Sequence, residues 1–151
     1  MDDTLLRLAI VLAIVAAAGL AGWWWRRRDG RVKVADAPRD DSPPDFDPDH
    51  LERVGLHLGG SPAGALLLSS PTCASCRQVQ GILAEVEQER PDFRWVTVDA
   101  GEHLDLARAH HVLRVPTLFV LDPDGRILAR TSGIPARHEL ERVIDRQDVA
   151  S

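Results

Sequence analysis

Two cysteines, Cys73 and Cys76, are the only cysteines in this 151-residue chain, and two residues separate them. Thiols at this spacing suit three roles, namely a structural disulfide, part of a metal site, or a redox pair. A disulfide that closes so small a loop removes little entropy from the unfolded chain, so it stabilises the fold little. A zinc site needs about four ligands, and histidines such as His110 and His111 would have to supply the others. The redox role fits the pair best.

The segments around the two cysteines predict how they are positioned. Residues 65–69 form a short, continuously apolar run, which is typical of a strand buried on both faces. From Cys73 to Arg90 apolar residues recur at helical spacing, and Pro91 ends the pattern. At a helix start, unpaired N–H groups and the helix dipole favour a thiolate, so the pKa of Cys73 can fall below the free value of about 8.5. We therefore expect Cys73 to be the nucleophile and Cys76, one turn further on, the resolving thiol.

The remaining patterns between residues 51 and 151 predict one compact α/β domain of ordinary size. Two apolar runs flank an Asp-Gly turn and predict a hairpin. The expected element order is β-α-β-α-β-β-α, after a short helix at 51–58. Besides the segments already described, we expect strands at 93–98, 117–121 and 126–130, and helices at 104–111 and 136–145.

This layout resembles the thioredoxin superfamily over about two-thirds of the chain. The shared features are the strand, the Cys-x-x-Cys helix, and Val115-Pro116-Thr117 about forty residues later. The resemblance implies a thioredoxin-like fold, with a mixed central sheet flanked by helices. It also implies that Pro116 is cis and packs against the redox pair, and that Val115 offers backbone hydrogen bonds to the substrate. Thr72 stands where the family usually has a tryptophan, beside the first cysteine, and we expect it to border the substrate site.

The active-site segment departs from the family's usual pattern in two further ways. Ala74 and Ser75 separate the cysteines, where the family usually has Gly-Pro. Leu67 lies six residues before Cys73, where the family usually has a buried acid that assists proton transfer for the second cysteine. These differences suggest a specialised relative rather than a general thioredoxin.

An apolar segment of 21 residues, Leu5 to Trp25, is interrupted only by Arg7 and is long enough to cross a bilayer. Three tryptophans and three arginines follow one another at its end, which suits a membrane interface and its basic flank. Basic flanks remain in the cytoplasm, so we expect a single-pass cell-membrane protein with its C-terminal domain on the cytoplasmic side. A cleaved signal peptide is the alternative, although the chain starts with two acidic residues after Met1 rather than basic ones.

Composition then divides the chain into three parts. Residues 1–28 form the transmembrane anchor with its basic flank, and residues 51–151 form the thioredoxin-like domain. The intervening segment, 29–50, is rich in Asp and Pro and has too few apolar residues to offset the entropy of ordering. We expect it to be a flexible tether.

The leading interpretation is a membrane-tethered thiol–disulfide oxidoreductase that reduces protein disulfides and needs no cofactor or metal. Its partners would be a protein disulfide or dithiol, a reductase, and the bilayer. The net charge of −5 argues against nucleic acid. A reducing cytoplasm would favour the reductase direction, whereas an exported domain could form disulfides or serve cytochrome maturation. The alternative function is a non-catalytic binding or metal-chaperone module with the same fold.

Overall fold

The computed structural model describes residues 3–28, 32–34 and 45–150, and it confirms the predicted succession of elements. The bounds differ from the expected ones by a few residues, as is usual at element ends. The helices are α1 (Asp3–Arg28), α2 (Pro48–Arg53), α3 (Ala74–Glu89), α4 (Leu104–Ala109) and α5 (Arg137–Ala150). The strands are β1 (Lys33–Val34), β2 (Gly64–Ser69), β3 (Arg94–Asp99), β4 (Thr117–Leu121) and β5 (Ile127–Ser132).

The five strands form one mixed sheet in the order β1-β5-β4-β2-β3. Strand β2 pairs parallel with β3 and antiparallel with β4, and β4 pairs antiparallel with β5 across the predicted hairpin. Because β2 is parallel to β3, the connection between them must cross over, and α3 makes that crossover. The carboxyl ends of β2 and β3 therefore lie side by side at the same end of the strands, where the cysteine loop begins.

Two apolar cores cover the two faces of the sheet. Helices α3 and α5 cover one face, with Val79 and Leu140 among the fully buried side chains. Helices α2 and α4 cover the other face, where Leu51 and Leu106 are buried. Every residue of β2 is buried, as the continuous apolar run predicts. This interior strand leads into the loop that holds the cysteines.

Two parts of the predicted tether pack on the domain. Strand β1 pairs antiparallel with β5 at the sheet edge. The Phe46 N–H donates to the carbonyl oxygen of Gly125 at 3.0 Å, and its side chain is only 2% exposed. An Asp45 carboxylate oxygen accepts a hydrogen bond from the Ile127 N–H at 2.7 Å. The packed domain thus includes residues from Asp45 onward, while 29–31 and 35–44 of the predicted tether lie outside the described residues.

Helix α1 has 26 residues, and its window from Arg7 to Trp24 has a mean hydropathy of 1.8. None of that window is buried against the rest of the described chain. Its length and composition suit a membrane span, but an N-terminal signal sequence would have the same properties. The helix is therefore a candidate membrane span.

Candidate active site

The two cysteines lie at the start of α3, directly after the loop that leaves β2. Cys73 is the N-cap residue of the helix and Cys76 lies in its first turn. Their Cα atoms are 5.3 Å apart, and a disulfide joins the two sulfurs. A Cα separation of this size suits a disulfide. The predicted strand–loop–helix arrangement thus brings the thiols within bonding distance.

The surroundings of the two sulfurs differ. The backbone N–H of Cys76 donates to Cys73 Sγ at 3.1 Å, and Ser75 Oγ lies 3.4 Å from the same sulfur. Cys73 is half-buried, whereas Cys76 is 1% exposed. Hydrogen-bond donors directed at a sulfur favour its thiolate form, and the N-terminus of a 16-residue helix does the same. The arrangement therefore favours a thiolate on Cys73 once the disulfide is reduced.

The other predicted site residues lie around the same end of the sheet. Thr117, the first residue of β4, pairs with Leu68 near the end of β2. This register brings the segment before β4 to the edge where the cysteine loop starts. The Val115–Pro116 peptide bond is cis, with Val115 half-buried and Pro116 buried. Thr72 is exposed, directly before Cys73.

A cavity of about 280 Å³ lies beside the disulfide. It is open to solvent and is bounded by the end of β2, the end of β3 and the first two turns of α3. Its lining residues are Ser69, Ser70, Pro71, Cys73, Cys76, Arg77, Gln80, Thr97 and Asp99. Both cysteines therefore face a space that can hold water and small polar groups.

Sequence reasoning did not assign a role to the polar side chains of this cavity. Trp95 packs on the core beside α3, and residues two apart on a strand share a face. Thr97 and Asp99 therefore follow Trp95 on the α3 side of the sheet. This alternation along β3 continues to the end of the strand, next to the cysteine loop. It would have been enough to predict from the sequence that Thr97 and Asp99 lie near the cysteines. Leu67 lies on the same side of the sheet and is fully buried in the apolar core.

One of the metal-binding alternatives draws on His110, and the structure gives this residue other neighbours. Its ring stacks on Phe46 with 3.9 Å between centroids. Burial lowers the pKa of His110, and Arg130 and His111 add to that effect, while Asp45 opposes it. Within the described ranges, no three His, Cys, Asp or Glu side chains form a group that could hold a metal ion. His110 thus belongs to the packing of residues 45–47.

Comparison with known proteins gives a consistent set of relatives. The family model described as Thioredoxin matches residues 65–146, which is more than half of the chain. Thioredoxin of Bacillus subtilis is 28% identical over 78 residues, or 51% of this chain and 74% of that protein. Mitochondrial thioredoxin-3 of Saccharomyces cerevisiae is 36% identical over 61 residues, or 40% of this chain and 47% of that protein.

Solved structures agree in fold. The oxidised form of yeast mitochondrial thioredoxin 3 is 25% identical, with a TM-score of 0.50, and covers 59% of this chain and 82% of its own. A mutant thioredoxin from Halobacterium salinarum is 22% identical, with a TM-score of 0.54, and covers 70% of this chain and 94% of its own. The predicted thioredoxin-like fold, with a mixed sheet flanked by helices, is confirmed.

Proposed function

The chain belongs to the thioredoxin family, and from this premise we propose a membrane-tethered oxidoreductase in which Cys73 attacks and Cys76 resolves. The family and the Cys-x-x-Cys pair establish the class of enzyme, a thiol–disulfide oxidoreductase. The observation that supports the division of roles is the asymmetry around the sulfurs. Cys73 is half-buried and accepts the Cys76 N–H, whereas Cys76 is almost fully covered. Access and thiolate character together decide which sulfur attacks.

The reaction has two exchange steps. The reduced Cys73 thiolate attacks one sulfur of a substrate disulfide, which forms a mixed disulfide and releases the other substrate sulfur as a thiolate. Cys76 then loses its proton and attacks Cys73 Sγ, so that the second substrate thiolate leaves. Two electrons pass to the substrate, and the Cys73–Cys76 disulfide remains for a partner reductase. No cofactor takes part in either step.

The substrate site in this proposal includes Thr72, Val115 and Pro116. Val115 lies two residues before the start of β4, where its backbone can pair with an extended substrate segment. Thr72 is exposed next to the attacking sulfur. This segment lies at the end of the interior strand β4, beside the cysteine loop, where a protein disulfide on a flexible chain segment can reach it. The substrates are therefore protein disulfides rather than small buried ligands.

We also propose that α1 holds the enzyme at the cell membrane with its catalytic domain in the cytoplasm. Five basic residues between 26 and 33 follow the apolar segment, against Arg7 and the amino terminus before it. A membrane-impermeant maleimide should leave Cys73 unlabelled in intact cells and label it in lysed, reduced cells. Labelling in intact cells would place the domain outside and favour an exported role. Loss of residues 1–22 from the mature chain would identify a cleaved signal peptide instead.

The test of the enzymatic proposal is turnover of a protein disulfide. The full chain in mild detergent should accelerate the reduction of insulin by dithiothreitol, and both Cys73→Ser and Cys76→Ser should remove that acceleration. Circular dichroism of each variant checks that the fold persists, which we expect because the loop between the cysteines is so short. A folded wild-type chain that never accelerates reduction would leave the binding-module alternative in its place.

A further inference from the structure

The second exchange step requires Cys76 to lose its proton while it is almost fully buried. The side chain is 1% exposed, and a thiol in such a place reacts only once it becomes a thiolate. Leu67, on the sheet face that α3 covers, offers no acceptor because it is an apolar side chain in an apolar core. The proton must therefore leave by another path. The cavity beside the disulfide is the space into which Cys76 faces.

Two polar side chains, Gln80 and Thr97, line this cavity together with Cys76 and a carboxylate, Asp99. Gln80 lies one turn after Cys76 on α3, so both side chains lie on the same face of the helix. Thr97 lies two residues before Asp99 on β3, so these two share a face of the strand. Gln80 Nε2 donates to Thr97 Oγ1 at 3.5 Å, which links the helix side of the cavity to the strand side.

We propose that Asp99 accepts the proton of the Cys76 thiol through water in this cavity; the inference rests on the proposed roles of the two cysteines. A cavity of about 280 Å³ is far larger than the roughly 10–15 Å³ that one water needs. It also offers polar partners on both sides. Asp99 is the one carboxylate among its lining residues, and the other titratable or charged groups facing it there are Cys73, Cys76 and Arg77.

The hydrogen bonding of Asp99 leaves it able to act as an acceptor. Its Oδ1 accepts from the Gly101 N–H at 2.7 Å, which fixes the orientation of the carboxylate. Within the part of the chain that the structure describes, no protein group donates to Oδ2. Asp99 is half-buried at the end of β3, so a proton that reaches it can pass on to bulk water.

The step balances as follows. In the mixed disulfide, the proton of Cys76 passes through cavity water to the Asp99 carboxylate, and Cys76 Sγ becomes a thiolate. That thiolate forms a bond to Cys73 Sγ, the bond from Cys73 Sγ to the substrate sulfur breaks, and the substrate leaves as a thiolate. Asp99 releases its proton to solvent. No oxidant or reductant beyond the substrate disulfide is required.

The experiment separates the two steps by following thionitrobenzoate release when the reduced full chain, in mild detergent, meets an excess of 5,5′-dithiobis(2-nitrobenzoate). The first release reports attack by Cys73, and the second reports resolution by Cys76. The variant is Asp99→Asn, which retains an oxygen for the Gly101 N–H. The matched control is Glu102→Gln, which removes a nearby exposed carboxylate that does not line the cavity.

A free thiol with a pKa of about 8.5 is ionised to roughly 3% at pH 7, so a base that takes the proton as the sulfur attacks can speed resolution by at most about thirtyfold. Asp99→Asn should slow the second release, by up to that factor, at pH 7 and leave the first within about twofold. The difference should close by pH 9.5, because the thiol then ionises unaided. Asp99→Glu should recover part of the rate, and Glu102→Gln should match the wild type.

Equal second-release rates for Asp99→Asn and the wild type at pH 7 would overturn the inference while leaving the proposed roles intact. A slowing that persists unchanged at pH 9.5 would also overturn it, because a structural defect has no reason to follow the ionisation of the thiol. If the wild type releases no second thionitrobenzoate at all, the resolving role of Cys76 fails and the inference fails with it.

Discussion

Replacing Phe46 by alanine tests whether the segment before α2 is part of the folded domain. The side chain is 2% exposed, stacks on His110 with 3.9 Å between centroids, and meets Phe119 edge-on at 5.3 Å. Truncating a buried phenylalanine to alanine costs about 3–5 kcal/mol. The segment around residue 46 lies at the edge of the domain, so in the variant it can detach locally instead of leaving an empty cavity. This favours the lower end of that range. We therefore expect Phe46→Ala to lower the free energy of unfolding by about 3 kcal/mol.

The assay is urea denaturation of the oxidised full chain in mild detergent, followed by circular dichroism and extrapolated linearly to water. The control is Leu113→Ala, because Leu113 is 94% exposed and its truncation should change stability by less than about 0.5 kcal/mol. If Phe46→Ala is as stable as Leu113→Ala, residues 45–47 are not packed. The tether would then extend to residue 50, as the composition of the sequence predicts.

Two further predictions concern the same region of the domain. Gly125→Ala should be more destabilising than Gly60→Ala in the same denaturation assay. The two glycines have nearly the same φ, 82° and 83°, so the backbone strain of the substitution is similar. Only at Gly125 would the added Cβ lie too close to another group, 2.6 Å from the Phe46 carbonyl oxygen. Equal losses would show that Phe46 does not approach this turn. Because burial lowers the pKa of His110, the unfolded chain binds more protons below about pH 6.5, so stability should fall from pH 7.5 to 5.5. His110→Gln should reduce this loss of stability, whereas the control His138→Gln, at an exposed position, should not. If His110→Gln loses as much stability as the wild type, other groups cause the pH dependence.

Much of the fold follows from local patterns. The apolar run of β2, the helical period of α3 and the Asp-Gly turn between β4 and β5 each specify an element within a few residues. The resemblance then supplies their arrangement. The two thiols can likewise be placed from the sequence, because the Cys-x-x-Cys motif stands where the helical spacing of apolar residues in α3 begins.

The parts that sequence reasoning missed depend on contacts between distant residues. Phe46 stands in a segment rich in Asp and Pro, and what orders it is the hairpin at Gly125, about eighty residues later. No local pattern reports such a contact. The cavity beside the disulfide has the same origin, since Gln80 and Asp99 come from different elements and line one cavity only when α3 packs on β3.

The most direct test of the central claim is which single-cysteine variant traps a substrate. Cys76→Ser retains the proposed attacking thiol and lacks the proposed resolving one, so it should accumulate a mixed disulfide through Cys73. Cys73→Ser should accumulate none, because its remaining thiol is almost fully buried. Each variant is expressed as the full chain in cells, which are quenched with acid, alkylated, and analysed by non-reducing electrophoresis and mass spectrometry. Mixed disulfides in Cys76→Ser alone are the predicted result; mixed disulfides in Cys73→Ser alone would reverse the assigned roles, and none in either variant would contradict the oxidoreductase account.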